Sequence, residues 1–172
     1  MADMDVQPYQ GSAYVDHTNP EAQDLYAKFS GVEVPAAAGM KIPDMYEAAI
    51  AGNLKAMYVI GEDMVQSDPN THHVMKALKS LDLLIVQELF MTETCKLAHV
   101  ILPGASFLEK EGTFTNGERR IQKVQKVVEP IADSKSDGQI IIDLMNKMGY
   151  KQKPYSAKTM LEEISKIVPF FA

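Results

Sequence analysis

Two short apolar runs, Ala56-Met57-Tyr58-Val59-Ile60 and Leu83-Leu84-Ile85-Val86, each stop abruptly at polar residues and stand one helix-length apart. Unbroken runs of this length belong to strands covered on both faces, and such strands pair in parallel through a crossover helix. The segment between them has Val74, Met75, Leu78 and Leu81 at helical spacing, which supplies that crossover. The runs end at Gly61-Glu62-Asp63 and Gln87-Glu88. Open α/β sheets hold ligands in the crevice at the carboxyl ends of their strands, where loop amides and carboxylates converge on a rigid frame. These five residues are therefore the first candidates for a binding site.

The remaining elements fit around this unit. Thr92 is placed to cap a one- to two-turn helix, after which His99-Val100-Ile101-Leu102 reads as a short third parallel strand stopped by Pro103-Gly104. Asn19-Pro20 opens a helix with Ala22, Leu25, Tyr26 and Phe29 on one face, closed by Gly31. Pro43-Asp44 opens a second, with Met45, Ala48, Ala49 and Ile50 inward, ended by Gly52-Asn53. Met64 to Asn70 reads as a loop, as do residues 105–117; residues 120–127 read as a bulged or weakly paired ribbon, because Ile121 is out of step with Val124. Ser136-Asp137 caps a helix with Ile140, Ile141, Leu144, Met145 and Met148 inside, and Ser156 opens a last one with Met160, Leu161, Ile164 and Ile167. This order predicts an α/β fold of three layers: a short, mostly parallel, Rossmann-like sheet with flanking helices, in a single domain. Residues 1–42 are expected to form an arm (extended or disordered to 19), a short helix and a linker; 43–150 the α/β domain; and 151–172 a C-terminal helix.

Charge and cysteine content narrow the function. With 17 basic and 23 acidic side chains the net charge is -6, which disfavours binding to a nucleic-acid backbone. No charged-then-apolar leader and no apolar run of about 18 residues is found, so neither export nor membrane insertion is expected, and the predicted location is cytoplasmic. The lone Cys95 makes neither an internal disulfide nor, by itself, an iron-sulfur or zinc site, and reads as a small buried hydrophobe. His72-His73 lacks companion metal ligands, and His99 is expected to pack or to hydrogen-bond. Arg119 and Arg120 suit either an anionic partner or a surface ion pair with Glu118 or Glu109. Neither a Gly-x-Gly-x-x-Gly nor a Walker-type phosphate loop occurs.

Within the strand-end set, Glu62 and Asp63 can accept two parallel donors from a purine edge or a sugar diol; the alternative is a solvated loop. Gln87 and Glu88 occupy the equivalent place on the next strand. In Ser67-Asp68-Pro69, Asp68 is either a neighbour of the ligand or only a helix cap.

These same residues resemble the molybdopterin oxidoreductase family, and most nearly the catalytic subunit of molybdenum- or tungsten-dependent formate dehydrogenases. The likeness runs through Ala56 to Asp63, Ser67-Asp68-Pro69, Leu83 to Thr94, Leu97 to Pro103, Ala105-Ser106-Phe107, Glu109 to Arg120, and on from Val128-Glu129-Pro130 to Tyr150. It implies one internal domain of a longer oxidoreductase, gripping the nucleotide half of a molybdopterin guanine dinucleotide. By that likeness Gly61, Glu62 and Asp63 line the guanosine and phosphate site, Ser67 and Asp68 lie beside it, and Gln87, Glu88, Phe90 and Thr92 form the facing wall.

The metal, its ligand and the iron-sulfur cysteines are implied to lie upstream. No catalytic or metal-binding residue is then expected here, no cofactor is needed for folding, and the partners are the remaining domains or subunits of the formate dehydrogenase. The alternative is a structural or assembly module that keeps the fold without the pocket, similar to respiratory-complex relatives. Three departures stand out: Met64 where the family often has proline, His99 where it commonly has aspartate, and an arm from Gln7 to Gly11 that resembles the family loop only faintly.

Overall fold

The computed structural model describes residues 18–33, 35 and 37–168; the arm expected over residues 1–19 lies, up to residue 17, outside the described residues. Two compact units are present among the described residues: Met45–Ala157, and a smaller one drawn from the described residues up to Asp44 and from Lys158 onward.

Helix α1 (Pro20–Ser30) starts where Asn19 accepts hydrogen bonds from the amides of Glu21 (2.8 Å) and Ala22 (3.4 Å), and ends at Gly31 in the left-handed region. Of its expected inward residues only Ala22 is buried, and Leu25 and Phe29 are exposed. Helix α2 (Ile42–Ile50) is closed by Gly52 at φ 75°, with the amides of Asn53 and Leu54 bonded back to Ala48. Strands β1 (Ala56–Ile60), β2 (Leu83–Glu88) and β3 (Val100–Pro103) form a parallel sheet in that order. The register pairs Met57 with Leu84, Val59 with Val86, and Ile60 with Gln87.

Alternation along the strands puts Met57, Val59, Leu84 and Val86 on one face. There they meet Tyr46 and Ala49 of α2 and Val74, Ala77 and Leu78 of α4 (Thr71–Lys79), together with Leu81 and Cys95. Cys95 thus takes the expected place of a small core hydrophobe. Val74, Leu78, Leu84 and Val86 are all below 2% exposed, and each such side chain stabilises the fold by about 1.5–3 kcal/mol relative to exposure. The opposite face carries Tyr58, Ile60, Leu83, Ile85, Gln87, Val100 and Leu102.

Met64 to Asn70 is not wholly loop. Helix α3 (Met64–Ser67) forms because Met64 and Val65 are drawn into the core while the Asp63 carbonyl accepts the amides of Gln66 and Ser67. Residues 105–124 also contain more structure than their composition suggests: β4 (Gly112–Thr115) and β5 (Ile121–Val124) pair antiparallel, Thr115 opposite Ile121 and Gly112 opposite Val124. Ile121 and Val124 fall on opposite sides of this ribbon, so their broken alternation marks a hairpin with no single buried face. Its turn is held by Asn116, whose Oδ1 accepts the amides of Glu118 (3.0 Å) and Arg120 (2.9 Å).

Helix α5 (Asp137–Lys147) begins at Ser136, which caps the amide of Gln139. Ile142 is buried beside Ile140 in place of the expected Ile141, and Met148 lies past the helix end, 79% exposed. Helix α6 (Ala157–Ile167) closes the described chain.

Candidate functional site

The carboxyl ends of β1, β2 and β3 and the loops leaving them form the candidate site. At the β1 exit Gly61 adopts φ 63° and donates its amide to the Gln87 carbonyl at 2.9 Å, turning the chain away from the sheet. A Cβ at Gly61 would meet nothing within 4 Å, so its left-handed backbone, and not crowding, is what calls for glycine. Glu62, next along, is exposed, and its carboxylate has no hydrogen-bond or ion-pair partner among the described residues.

Asp63 is differently placed. Its Oδ1 accepts the hydroxyl (2.7 Å) and the amide (3.1 Å) of Thr94; its Oδ2 accepts the Gln66 side-chain amide (2.7 Å) and the Glu93 backbone amide (3.3 Å). Thr94, fully buried, in turn accepts the Val65 amide at 3.1 Å. Desolvation works against charge on Asp63, but these four donors, the Thr94 hydroxyl foremost, outweigh it and hold the carboxyl below its ordinary range. Ser67 donates its hydroxyl to the Asp63 carbonyl (2.9 Å), and Asp68 accepts the Asn70 amide (2.9 Å). Asp68 and Glu62 lie near enough to the Tyr46 phenol that, after burial, their charges help push it up to about 12.

At the β2 exit Gln87 is 1% exposed and faces inward along a polar chain. The Tyr58 hydroxyl donates to its Oε1, its Nε2 donates to Asp137 Oδ1 at 2.7 Å, and Lys110 pairs with the other Asp137 oxygen. Burial opposes charge on Asp137, yet Lys110 and Gln87 together keep its carboxyl below the usual range. Glu88 accepts the Leu89 amide at 2.6 Å. Phe90 is 77% exposed, and Thr92 caps the Cys95 amide at 3.2 Å.

The third exit is pinned as well. Gly104 donates to the Glu88 carbonyl (3.0 Å) and bridges to Lys135, whose amide bonds back to Pro103. A Cβ at Gly104 would make ordinary van der Waals contact with Asp137 Oδ1 at 3.4 Å and Leu89 at 3.6 Å, so α5 and the β2 exit both come close to this strand end without crowding it. Glu109, 8% exposed, accepts the amides of Ser106 (2.7 Å) and Ile131 (2.9 Å), tying the loop after β3 to the segment before α5.

The structure therefore brings Gly61, Glu62, Asp63, Gln87 and Glu88 to one end of one sheet, with Ser67 bonded to Asp63. Thr94, Tyr58, Lys110, Glu109 and Asp137 escaped the sequence reading as members of the site. Only Asp137 carried a signal, as a cap residue, and its contact with a strand 50 positions away was not readable from spacing. Arg120 pairs with Glu118 at 3.6 Å on the surface, the plainer of its two expectations. His73 pairs with Glu47 at 3.2 Å, and among the described residues no group of three or more His, Cys, Asp or Glu side chains is placed to hold a metal ion.

Fold and site together define an α/β module whose polar loop residues gather at the carboxyl ends of three parallel strands. The chain belongs to the molybdopterin oxidoreductase family, whose profile matches residues 5–147. It is 44% identical over 155 residues to formate dehydrogenase 1 subunit alpha of Methanococcus maripaludis, covering 89% of this chain and 23% of that protein. With formate dehydrogenase H of Escherichia coli it shares 39% identity over 164 residues, 95% of this chain and again 23% of the relative. Among solved structures, acetylene hydratase from Pelobacter acetylenicus superposes with a TM-score of 0.59 at 26% identity, covering 76% of this chain and 19% of that one. The chain thus spans less than a quarter of the length of these relatives. Among the described residues no helix is long and apolar enough to cross a membrane.

Proposed function

We propose that this chain is the part of a formate dehydrogenase-like oxidoreductase, working in the cytoplasm, that holds the guanosine end of a molybdopterin guanine dinucleotide. Its partners are the remaining domains or subunits of that enzyme, and alone it is catalytically silent. Family membership implies a molybdopterin-type cofactor; the guanine dinucleotide form is our inference. When bound, that cofactor supplies the metal, molybdenum or tungsten, and the electron transfer, while the polypeptide supplies grip and orientation.

The observation that carries this reading is the β1 exit. Glu62 follows a left-handed glycine, is exposed, and has an unspent carboxylate at the mouth of the crevice. A carboxylate so placed accepts the paired N–H donors of a guanine edge. Gly61, Ser67 and Asp68 flank it, and Glu88, Phe90 and Thr92 stand on the facing loop.

Titrating the chain with GDP while following backbone amide shifts tests the proposal. Shifts confined to residues 61–68 and 87–92, lost in Glu62→Gln, are expected. Silence throughout, at millimolar nucleotide, counts against nucleotide binding and favours the second reading, a structural or assembly module. That reading draws on one observation: Asp63 and Gln87 direct their side chains into the protein's own hydrogen bonds.

A further inference from the structure

Across the gap between two strand exits the Thr94 hydroxyl caps the turn after β1, while the Asp63 carboxylate takes the amides just ahead of the turn after β2 that Thr92 caps. Asp63 stands at the N-cap position of α3 but makes no side-chain cap to it. The Thr94 hydroxyl does that instead, accepting the Val65 amide at 3.1 Å. Thr94 likewise opens the 3-10 turn Cys95–Leu97 without capping it. The Asp63 carboxylate reaches over to take the amides of Glu93 and Thr94, at 3.3 and 3.1 Å, just ahead of that turn. One hydrogen bond, Thr94 Oγ1 to Asp63 Oδ1 at 2.7 Å, joins the two halves. In a capping box two residues of one helix satisfy each other's free amides; here the same exchange is made between loops 31 residues apart.

We propose that Asp63 and Thr94 are positioning residues for the nucleotide crevice, setting the separation of the β1 and β2 exits, and that neither touches the ligand. The inference rests on the nucleotide reading given above. All four groups that Asp63 accepts belong to the protein, so its oxygens have no strong acceptor position left for a base. The loop it holds, residues 88–94, carries Glu88, Phe90 and Thr92, with Leu89, Phe90 and Met91 exposed; Gly104 ties its start at the Glu88 carbonyl and Cys95 reaches the Phe90 carbonyl at 3.6 Å. The clasp fixes its far end, at Glu93 and Thr94, against the β1 exit. Without it, the facing wall of the crevice must be ordered at the moment of binding, which lowers apparent affinity without removing any ligand contact.

Three variants test this: Thr94→Val keeps volume and loses the hydroxyl, Thr94→Ser keeps the hydroxyl, and Asp63→Asn replaces one acceptor oxygen by a donor. Amide hydrogen exchange is read at Val65, Glu93 and Thr94, and GDP affinity by amide shifts. Thr94→Val and Asp63→Asn are expected to speed exchange at those amides and weaken GDP binding about ten-fold or more, with Thr94→Ser restoring both. Exchange at Leu84, in the sheet core, reports whether a variant still folds; should Thr94→Val not fold, Asp63→Asn and Thr94→Ser decide the matter.

Wild type that binds GDP while Thr94→Val or Asp63→Asn binds equally well overturns the positioning role and leaves nucleotide binding standing. Unchanged exchange at Glu93 and Thr94 in the folded variants overturns the clasp itself. A wild type that ignores GDP, with the clasp amides still protected, refutes the nucleotide reading and with it any part the pair plays there.

Discussion

His99 Nδ1 accepts the backbone amide of Leu84 at 2.9 Å, while the His99 amide donates to the Leu84 carbonyl at the same distance. The imidazole therefore completes the parallel ladder one residue before β3 begins, at a point where the chain is still leaving the 3-10 turn. The family that the sequence resembles commonly has aspartate at this position. Here the imidazole Nδ1 performs the acceptor's task. Leu84 is fully buried, but the His99 ring that covers its amide is exposed, so water can reach the amide once the ring is removed. His99→Ala should therefore cost about 0.5–1.5 kcal/mol, the net worth of one hydrogen bond, whereas His99→Asp should stay near wild type. Urea midpoints at neutral pH measure both, and an unaffected His99→Ala would show that Leu84 finds another acceptor.

Acid should unfold the larger unit through its clasped carboxylates. At Asp63 and Asp137 desolvation pushes the pKa up, yet hydrogen bonds push it further down, joined at Asp137 by the Lys110 charge. Glu109 is lowered chiefly by the donors at Ser106, with Ile131 and Lys110 adding to them. A carboxyl whose folded-state pKa lies below its unfolded one stabilises the fold fully above the unfolded value, and that stability drains away as pH falls through the folded one. Stability from this source should be level near neutrality and decline from the ordinary carboxyl range downward. Asp137→Asn should give a lower plateau and a shallower acid decline, read from Tm against pH. An equal slope in variant and wild type would remove Asp137 from the acid response.

Gly138 sits in the first turn of α5, where alanine ordinarily improves a helix by about 0.5–1 kcal/mol. Here a Cβ would stand 2.1 Å from Cε2 of the Tyr155 ring, with Cδ2 and Cζ also within 2.6 Å. The ring must leave its seat, and overpacking of this kind costs about 1–3 kcal/mol. Gly138→Ala should therefore lower Tm. In a Tyr155→Ala background the same change should become neutral or stabilising, because the clash is gone and the helix preference remains. A penalty that persists in that background would point to the backbone instead of the ring.

The parallel strands were legible because an apolar run of four or five residues with polar stops is too short for a buried helix and too unbroken for a half-solvated strand. The crossover helix was legible because Val74, Leu78 and Leu81 keep helical spacing. Family membership was legible through the ordered matches along those elements. Short structure held by distant partners was not. Helix α3 depends on burial of Met64 and Val65, and the β4–β5 hairpin on the Asn116 turn, neither of which shows as a period. Strand-end position was a good guide to where Asp63 and Gln87 would lie but a poor one to where they would point, since Thr94 and Asp137 become their neighbours only once the chain has folded.

Gln87 offers the sharpest test of the inward-facing polar chain. Its amide is read one way only: the oxygen must accept from Tyr58, and the nitrogen must donate to Asp137. Gln87→Glu keeps the shape and the acceptor but sets a second carboxylate against Asp137 in a site where Gln87 is 1% exposed. Ionised, the new carboxylate is desolvated beside Asp137 with only the Tyr58 hydroxyl donating to it, while Lys110 is already paired with Asp137, and a loss of about 3 kcal/mol or more is expected at neutral pH. Burial and the Asp137 charge would both raise the pKa of the introduced carboxyl. Its penalty should therefore grow as pH rises above the ordinary carboxyl range and shrink as pH falls, when the protonated acid donates to Asp137 as the amide did. Urea unfolding of wild type and variant at pH 5 and pH 8 measures the difference. A penalty that is the same at both values would mean that the variant side chain has turned out to solvent, and that the chain from Tyr58 to Lys110 is looser than its hydrogen bonds indicate.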